Sequence, residues 1–428
     1  MDGDFLSLDQ PVANGGIENV RFFNGRLLSG RDLTREQQAR KSGDALTGAA
    51  HGSGVAYGLE VRRTAADIAT PGAVINVHAG LAINRDGAHL KLAADQRLQL
   101  TRMDSSDFSG GDCQFGECII PEVSSYVAGE GLYLLVLAPS TRSMGRAAVN
   151  GLPGDSAACN VDRDVDAVTF RLIEIPSALY SGISALDPGF RNRIAYRCFG
   201  TGVLASWPIP FVTQPPRSDD LITEMADYGL TSAEVPLAII AFTGTLDINF
   251  LDMWAARRPL ALADGPLGAN ASITSSVAPR RISAGRAMLH QFQEQFDALT
   301  NGGANMGAVK ARTHFPQLPP VGVLPRVSEA DAKAFLGDLT YRGPVHINAV
   351  QVEMLLRDSM ACPAIQSSSD EVVWLYAVAE NQIAAKRAPA DPLRARPFYI
   401  FASGNMPYRA DARFNLHRWN YANFALGA

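Results

Sequence analysis

Residues 73–92 read AVINVHAGLAINRDGAHLKL. Asp86-Gly87, a dipeptide suited to the positive backbone angles of a two-residue loop, stands between the short apolar runs Ala82–Asn84 and His89–Leu92, which predicts a β-hairpin. Just upstream, HGSGVAYGLEV (51–61) sets Val55, Tyr57, Leu59 and Val61 at alternate positions, as one face of a strand requires. Downstream, RLQL (97–100), LYLLVLA (132–138) and AVTFRLIEI (167–175) supply further strands, and the last two are apolar enough to be expected centrally in a sheet. The Gly/Ser/Asp-rich stretch 104–131, between RLQL and LYLLVLA, reads as a long surface loop.

Before the β-region lies NVRFFNGRLLSGRDLTREQQARKSGDAL (19–46). Ser29 followed three residues later by Asp32 is a capping-box signature and predicts a helix over about 30–46. Leu33 is the only large apolar residue in it before Leu46. A helix without an apolar stripe gains little from packing on its own body, so shallow burial or contact with another chain is expected. Leu33, Glu36, Gln37 and Arg40 are therefore candidate assembly residues.

Beyond residue 176 the texture changes to short helices and Pro-rich connections such as SWPIP (206–210) and QPP (214–216). An apolar strand, VPLAIIAF (235–242), is followed by the aromatic-basic segment LDINFLDMWAARRPL (246–260). A helix over about 281–300 is predicted from Ile282, Leu289, Phe292, Phe296 and Leu299 at helical spacing, with Gly302-Gly303 as its stop. The prolines of HFPQLPPVGVLP (314–325) favour an extended, polyproline-like path. Ser328 with Asp331 and Asn348 with Gln351 start two more helices, the second carrying Val352, Leu355 and Leu356. EVVWLYAVAEN (371–381) and PFYIFAS (397–403) read as strands, the first central. The last segment is dense in aromatics, and Phe414, Trp419, Tyr421 and Phe424 are the second group of candidate assembly residues. The expected organisation is an α+β, multidomain chain. It has an arm (1–18), a β-rich domain (19–176), a Pro-rich helix and strand middle region (177–300) and a mixed α/β C-terminal domain (301–428).

Composition narrows the function. A net charge of −5 with no Lys/Arg block gives no electrostatic reason to expect a nucleic-acid partner, and 47% hydrophobic residues suffice for real cores. No apolar run is long enough to span a bilayer, and the start MDGDFLSLDQ lacks signal-peptide character, so synthesis in the cytoplasm without membrane insertion is expected. Five cysteines do not make a disulfide framework in a chain of 428 residues; a reducing compartment follows, and Cys113 and Cys118 lack the second ligand pair of a zinc site.

Catalytic constellations are missing from the sequence: no P-loop, GxSxG elbow or HExxH motif occurs. The glycines of 52–58 lie between a helix and a strand, the wrong order for a phosphate loop. The seven histidines are scattered, and only His78 with His89 could meet within one sheet. VDRDVD (161–166), the densest acidic cluster, lacks calcium-loop spacing and reads as a solvated turn. No catalytic residue, cofactor or metal ligand is expected.

Three stretches resemble a family associated with gene clusters for contractile injection systems and phage-tail-like particles. They are FFNGRLLSGRDLTREQQ leading through HGSGVAYGLEV to AGLAINRDGAHLKL; VPLAII with INFLDMWAARRPL; and HFPQLPPVGVLP with INAVQVEMLLRDS and VVWLYAVAEN. Ser53 stands where the family has an aromatic, and Gly43 and Gly48 where bulkier or basic residues are usual. The resemblance implies a structural subunit of a phage tail or injection particle, at the baseplate or tail fibre, with other particle subunits and copies of itself as partners. Two alternatives stay open: a protein that binds a cell-surface glycan or receptor, and a cell-wall hydrolase. The hydrolase would need two carboxylates sharing a cleft at about 5–9 Å.

Overall fold

The computed structural model describes residues 16–64, 73–100, 129–148, 159–200, 220–245, 247–260, 273–300, 306–325, 327–360, 362–387 and 397–403. Helix α1 (Gly30–His51) leads into the short strands β1 (Gly54–Gly58), β2 (Val61–Arg62), β3 (Val74–Val77), β4 (Gly80–Ile83), β5 (His89–Leu92) and β6 (Gln96–Gln99). Two long strands, β7 (Gly131–Ala148) and β8 (Cys159–Ile175), precede helix α2 (Phe190–Phe199), strands β9 (Val235–Phe242) and β10 (Ile248–Asp252), the one-turn helix α3 (Met253–Ala256) and the long helix α4 (Ile273–Thr300). Next come β11 (Gln317–Leu318), β12 (Val321–Leu324), α5 (Glu329–Leu336), β13 (Tyr341–Ile347) and α6 (Ala349–Met360). The chain continues through β14 (Ile365–Gln366), β15 (Val373–Val378), α7 (Ala379–Arg387) and β16 (Tyr399–Ala402). The fold is α+β and multidomain, as the sequence predicts.

Two four-stranded sheets organise the cores. The first has the order β10-β9-β7-β8 and buries both faces. Tyr133, Leu135 and Leu137 of β7 point into a cluster with Val55, Ile75 and Leu90 from the small sheets β1-β4-β5 and β2-β3-β6. The alternate residues Leu132, Leu134 and Val136 point into a second cluster with Ile194 and Tyr196 of α2 and Met288 of α4. Alternation along the strand makes this division, and it explains why LYLLVLA is apolar without a break. β8, expected to be central, is an edge strand. Its apolar residues are buried through the faces, Leu172 on one side and Ile173 and Ile175 on the other.

The second sheet, β12-β16-β15-β13, repeats the arrangement. Leu375, Ala377 and Phe401 face a cluster with Phe292, Phe296, Phe315 and Phe335, whereas Tyr376, Val378 and Ile400 face Leu355 of α6. Phe292 lies at the centre of the aromatic group, 4.9 Å from Phe315 and 5.2 Å from Phe401 between ring centroids. Helix α4 joins the two units: Ala287 and Met288 belong to the second core, Phe292 and Phe296 to the third.

Several expectations are corrected here. The boundary placed near residue 176 does not separate two cores, because β9 returns from the middle region to pair with β7. Tyr57 does not share the face of Val55; the pairing of β1 with β4 shifts between them, and Tyr57 is exposed. The proline-rich stretch 314–325 is extended as expected, but it runs through the paired strands β11 and β12 and not along a polyproline path. Ile282 of the predicted α4 stripe is exposed, whereas Leu289, Phe292 and Phe296 are buried. The expected loop at 104–128, the Pro-rich connections within 206–216, Gly302-Gly303, and Cys113 and Cys118 lie outside the described residues.

Candidate assembly interface

Helix α1 begins as its sequence dictates. Ser29 Oγ accepts from the Asp32 backbone N–H at 3.2 Å while Asp32 accepts from the Ser29 N–H at 3.0 Å, the reciprocal bonds of a capping box. Arg26 closes on Asp32 from outside the helix at 2.6 Å. The bonds from Ser29, with help from Arg26, hold the Asp32 carboxyl down to about 2.

What α1 does not do is pack. Only Ala39 and Gly48 are buried along its 22 residues. Leu33 is exposed, Glu36 approaches Arg40 at 3.6 Å on the surface, and Gln37 and Arg40 face solvent. The structure therefore brings these four candidate residues to one free helix. Immediately before it, Phe22, Phe23, Leu27 and Leu28 are also exposed, Phe23 at 65% and Leu27 at 93%. Five large apolar side chains exposed between residues 22 and 33 make an apolar surface of the kind that marks a contact site. Sequence reasoning missed the first four, although they stand in plain view as FF and LL beside a glycine turn. Phe414, Trp419, Tyr421 and Phe424 lie outside the described residues.

The far end of α1 is anchored. Gly48 meets the tip of the β4–β5 hairpin at Gly87, and the hairpin is tied to the body by Arg85 N–H donating to Ser232 O at 3.1 Å and Ser232 Oγ donating to Asp86 at 3.1 Å. Two of the stretches that carry the family resemblance also touch each other. Arg257 donates to Gly58 O at 2.6 Å, Val55 N–H donates to Arg258 O at 2.8 Å, and Leu260 N–H donates to Val55 O at 3.1 Å. The aromatic-basic segment is thus mortar between β1 and the first sheet: Arg257 lies 5.4 Å from the Trp254 ring, Arg258 lies 4.7 Å from that of Phe199, and Trp254 stacks on His290 at 4.4 Å. Beneath it, buried Asp252 caps α3 through Ala255 N–H at 3.0 Å. The same carboxylate accepts from Arg191 at 2.9 Å and from Gln291 at 3.1 Å, while Arg191 reaches Glu294 at 3.0 Å.

The other residues singled out in the sequence resolve into structural roles. His78 Nδ1 is 2.9 Å from Asp95, which also accepts from Ala79 N–H at 2.8 Å. That backbone bond, and then His78, lower the Asp95 carboxyl. His78 lies in the connection between β3 and β4, whereas His89 is in β5, opposite Ile83. Among the described residues no group of three or more His, Cys, Asp or Glu is placed to hold a metal, and no helix is long and apolar enough to cross a membrane. Residues 161–166, expected as a turn, are solvated but belong to β8, paired residue by residue with β7. Cys198 is buried, which pushes its thiol up, and Cys362 is partly exposed.

Two of the surface clefts are lined by described residues. One, of about 480 Å³, is lined by Arg193, Tyr196, Arg197 and Arg312 with Gln317 and Ser367; the other, of about 300 Å³, includes Arg62, Arg63 and Glu294. Among the described residues neither is lined by two carboxylates. In the first, Arg193 is paired with Asp187 at 3.1 Å and Arg197 with Glu224 at 2.7 Å, while the hydroxyl of buried Tyr196 makes no hydrogen bond. Trp374 is half-buried with Arg342 lying 5.8 Å from its ring.

A scan against protein-family models and a search of the curated proteins produced no match to this chain.

Proposed function

We propose that the protein is a structural subunit of a phage tail or a contractile, phage-tail-like injection particle, at the baseplate or tail fibre, acting by protein–protein assembly and not by catalysis. The observation that carries this reading is the exposed apolar run Phe22, Phe23, Leu27, Leu28 and Leu33 leading into a polar helix that buries only Ala39 and Gly48. Covering a side chain of this size is worth about 1.5–3 kcal/mol, and the body of the chain leaves that free energy unused. The resemblance of three ordered stretches supplies the kind of particle. The contacts between two of them support treating those motifs as parts of one scaffold, with Arg257 and Arg258 bonding to β1.

The test is direct. Particles purified from the producing cell should contain the protein, and deleting its gene should remove fibres or baseplate in electron micrographs; particles without it would end the proposal. The receptor-binding alternative draws on the arginine-lined cleft with its unpaired Tyr196 hydroxyl. Binding of host-surface glycans that Arg312→Ala abolishes would favour that alternative.

A further inference from the structure

The strands β7 and β8 pair from Leu132↔Ile175 out to Ala148↔Cys159, but β9 accompanies β7 only as far as Leu137. From Pro139 onward the two strands form a ribbon that leaves the sheet, and residues 139–146 and 161–166 are exposed. An isolated two-stranded ribbon is marginal in water and presents unpaired edges, so a free one of this length asks for a covering surface.

Its two faces differ in chemistry. Side chains alternate along a strand, and residues directly opposite in an antiparallel pair share a face. Arg142↔Val165, Met144↔Arg163 and Arg146↔Val161 therefore form one face, which holds three arginines and three apolar side chains. Met144, Val161 and Val165 are all exposed there. Thr141↔Asp166 and Ser143↔Asp164, with Gly145 against Asp162, form the other face. That face holds three aspartates among small side chains. Ser143 donates to Asp164 at 2.6 Å, Asp162 meets its chain neighbour Arg163 at 3.4 Å, and Lys41 of α1 reaches Asp166 at 3.2 Å. Even so, the Asp166 side chain remains 80% exposed.

We infer that the ribbon is a self-assembly arm: the Arg142/Arg146/Arg163 face of one copy stacks on the Asp162/Asp164/Asp166 face of the next. The charges are opposite and matched in number. The sizes are complementary too, with long arginine, methionine and valine side chains set against Thr141, Ser143 and Gly145. Because the two faces are different surfaces of one arm, the contact is head-to-tail and repeats from copy to copy, giving a ring where the rotation between copies closes and a filament where it does not. This deepens the assembly reading above and rests on it for its setting, but it is tested without particles.

The experiment is sedimentation of the full-length chain at low and high salt. The wild type should self-associate and do so less at high salt, because exposed charges are screened. The triple variants Arg142→Glu/Arg146→Glu/Arg163→Glu and Asp162→Lys/Asp164→Lys/Asp166→Lys should each associate about tenfold or more weakly while keeping the wild-type circular dichroism spectrum. An equimolar mixture of the two should associate again, because each now supplies the charge that the other needs. A wild type that stays monomeric, a single variant that associates as the wild type does, or a mixture that stays dissociated overturns the inference. Particles that contain the protein although the arm fails these tests would leave the assembly reading in place; particles that lack it would remove that reading whatever the arm does.

Discussion

Gly48 of α1 and Gly87 at the tip of the β4–β5 hairpin are in backbone contact: a β-carbon built on Gly48 overlaps the Gly87 carbonyl oxygen, and one built on Gly87 overlaps the carbonyl oxygen of Ala45. Gly87 also sits at φ +83, a conformation glycine adopts without strain. Gly43, five residues earlier in the same helix, meets nothing within 4 Å. The same substitution should therefore act in opposite directions. Gly43→Ala should stabilise the protein by up to about 1 kcal/mol through helix propensity. Gly48→Ala should destabilise it by about 1–3 kcal/mol through overpacking. Urea unfolding of the two variants checks the pair, and equal effects would show that α1 is not anchored at the hairpin.

The buried ion pair Arg191–Asp252 should be costly to halve. Asp252→Ala leaves a largely buried guanidinium with Glu294 as its remaining partner, costs the Gln291 amide one of its two bonds and removes the cap of α3, for an expected loss of about 3 kcal/mol. Arg191→Met/Asp252→Leu should lose less than the single Asp252→Ala change, because the charge left without its partner is then Glu294, whose side chain is 38% exposed, and not the buried Arg191. Denaturant midpoints of the three proteins measure both effects.

The Asp32 carboxyl is held at about 2 from an ordinary value of 3.8. A depressed folded-state value means that its contribution to α1 is present above pH 3.8 and is lost as the pH falls through about 2. Ser29→Ala removes the side-chain bond that contributes most and should return the carboxyl toward its ordinary value. A carboxyl NMR titration of Asp32 in both proteins reads the shift, and an unchanged midpoint in the variant would rule out the capping box as its cause.

Changing Phe22, Phe23, Leu27 and Leu28 together to serine should leave the melting temperature of the isolated protein nearly unchanged, since substitutions at exposed positions are usually worth within about 0.5 kcal/mol each. The same variant should be depleted from purified particles. Normal incorporation would remove this segment from the interface.

Much of the local architecture was legible in the sequence, because the signals that set it are short-range. Both Ser/Asp capping boxes, at Ser29 and Ser328, form as spelled, since each needs only residues three apart. The Asp86-Gly87 hairpin pairs Ile83 with His89 as expected. The strand at 235–242 and the central strand at 373–378 were readable from uninterrupted apolar runs. The ribbon was not legible: VDRDVD alternates with period two, but its charge read as a turn, and its partner strand carries no apolar alternation to announce it. The Arg191–Asp252–Gln291 network was equally hidden, because its members lie up to 100 residues apart and polar side chains carry no sign of their burial until the helices above them are placed.

The sequence by itself determined the helix starts at Ser29 and Ser328, the apolar strands, the hairpin and the shortage of packing residues in α1, since each depends on neighbours a few positions away. Only the tertiary structure decided which strands share a sheet, that β8 lies at an edge, that α4 serves two cores, and that an arm with one basic-apolar face and one acidic face leaves the body. Strand order and register depend on pairings between residues as distant as Leu132 and Ala241, and alternation shows only that a strand has two faces, not which surface each will meet.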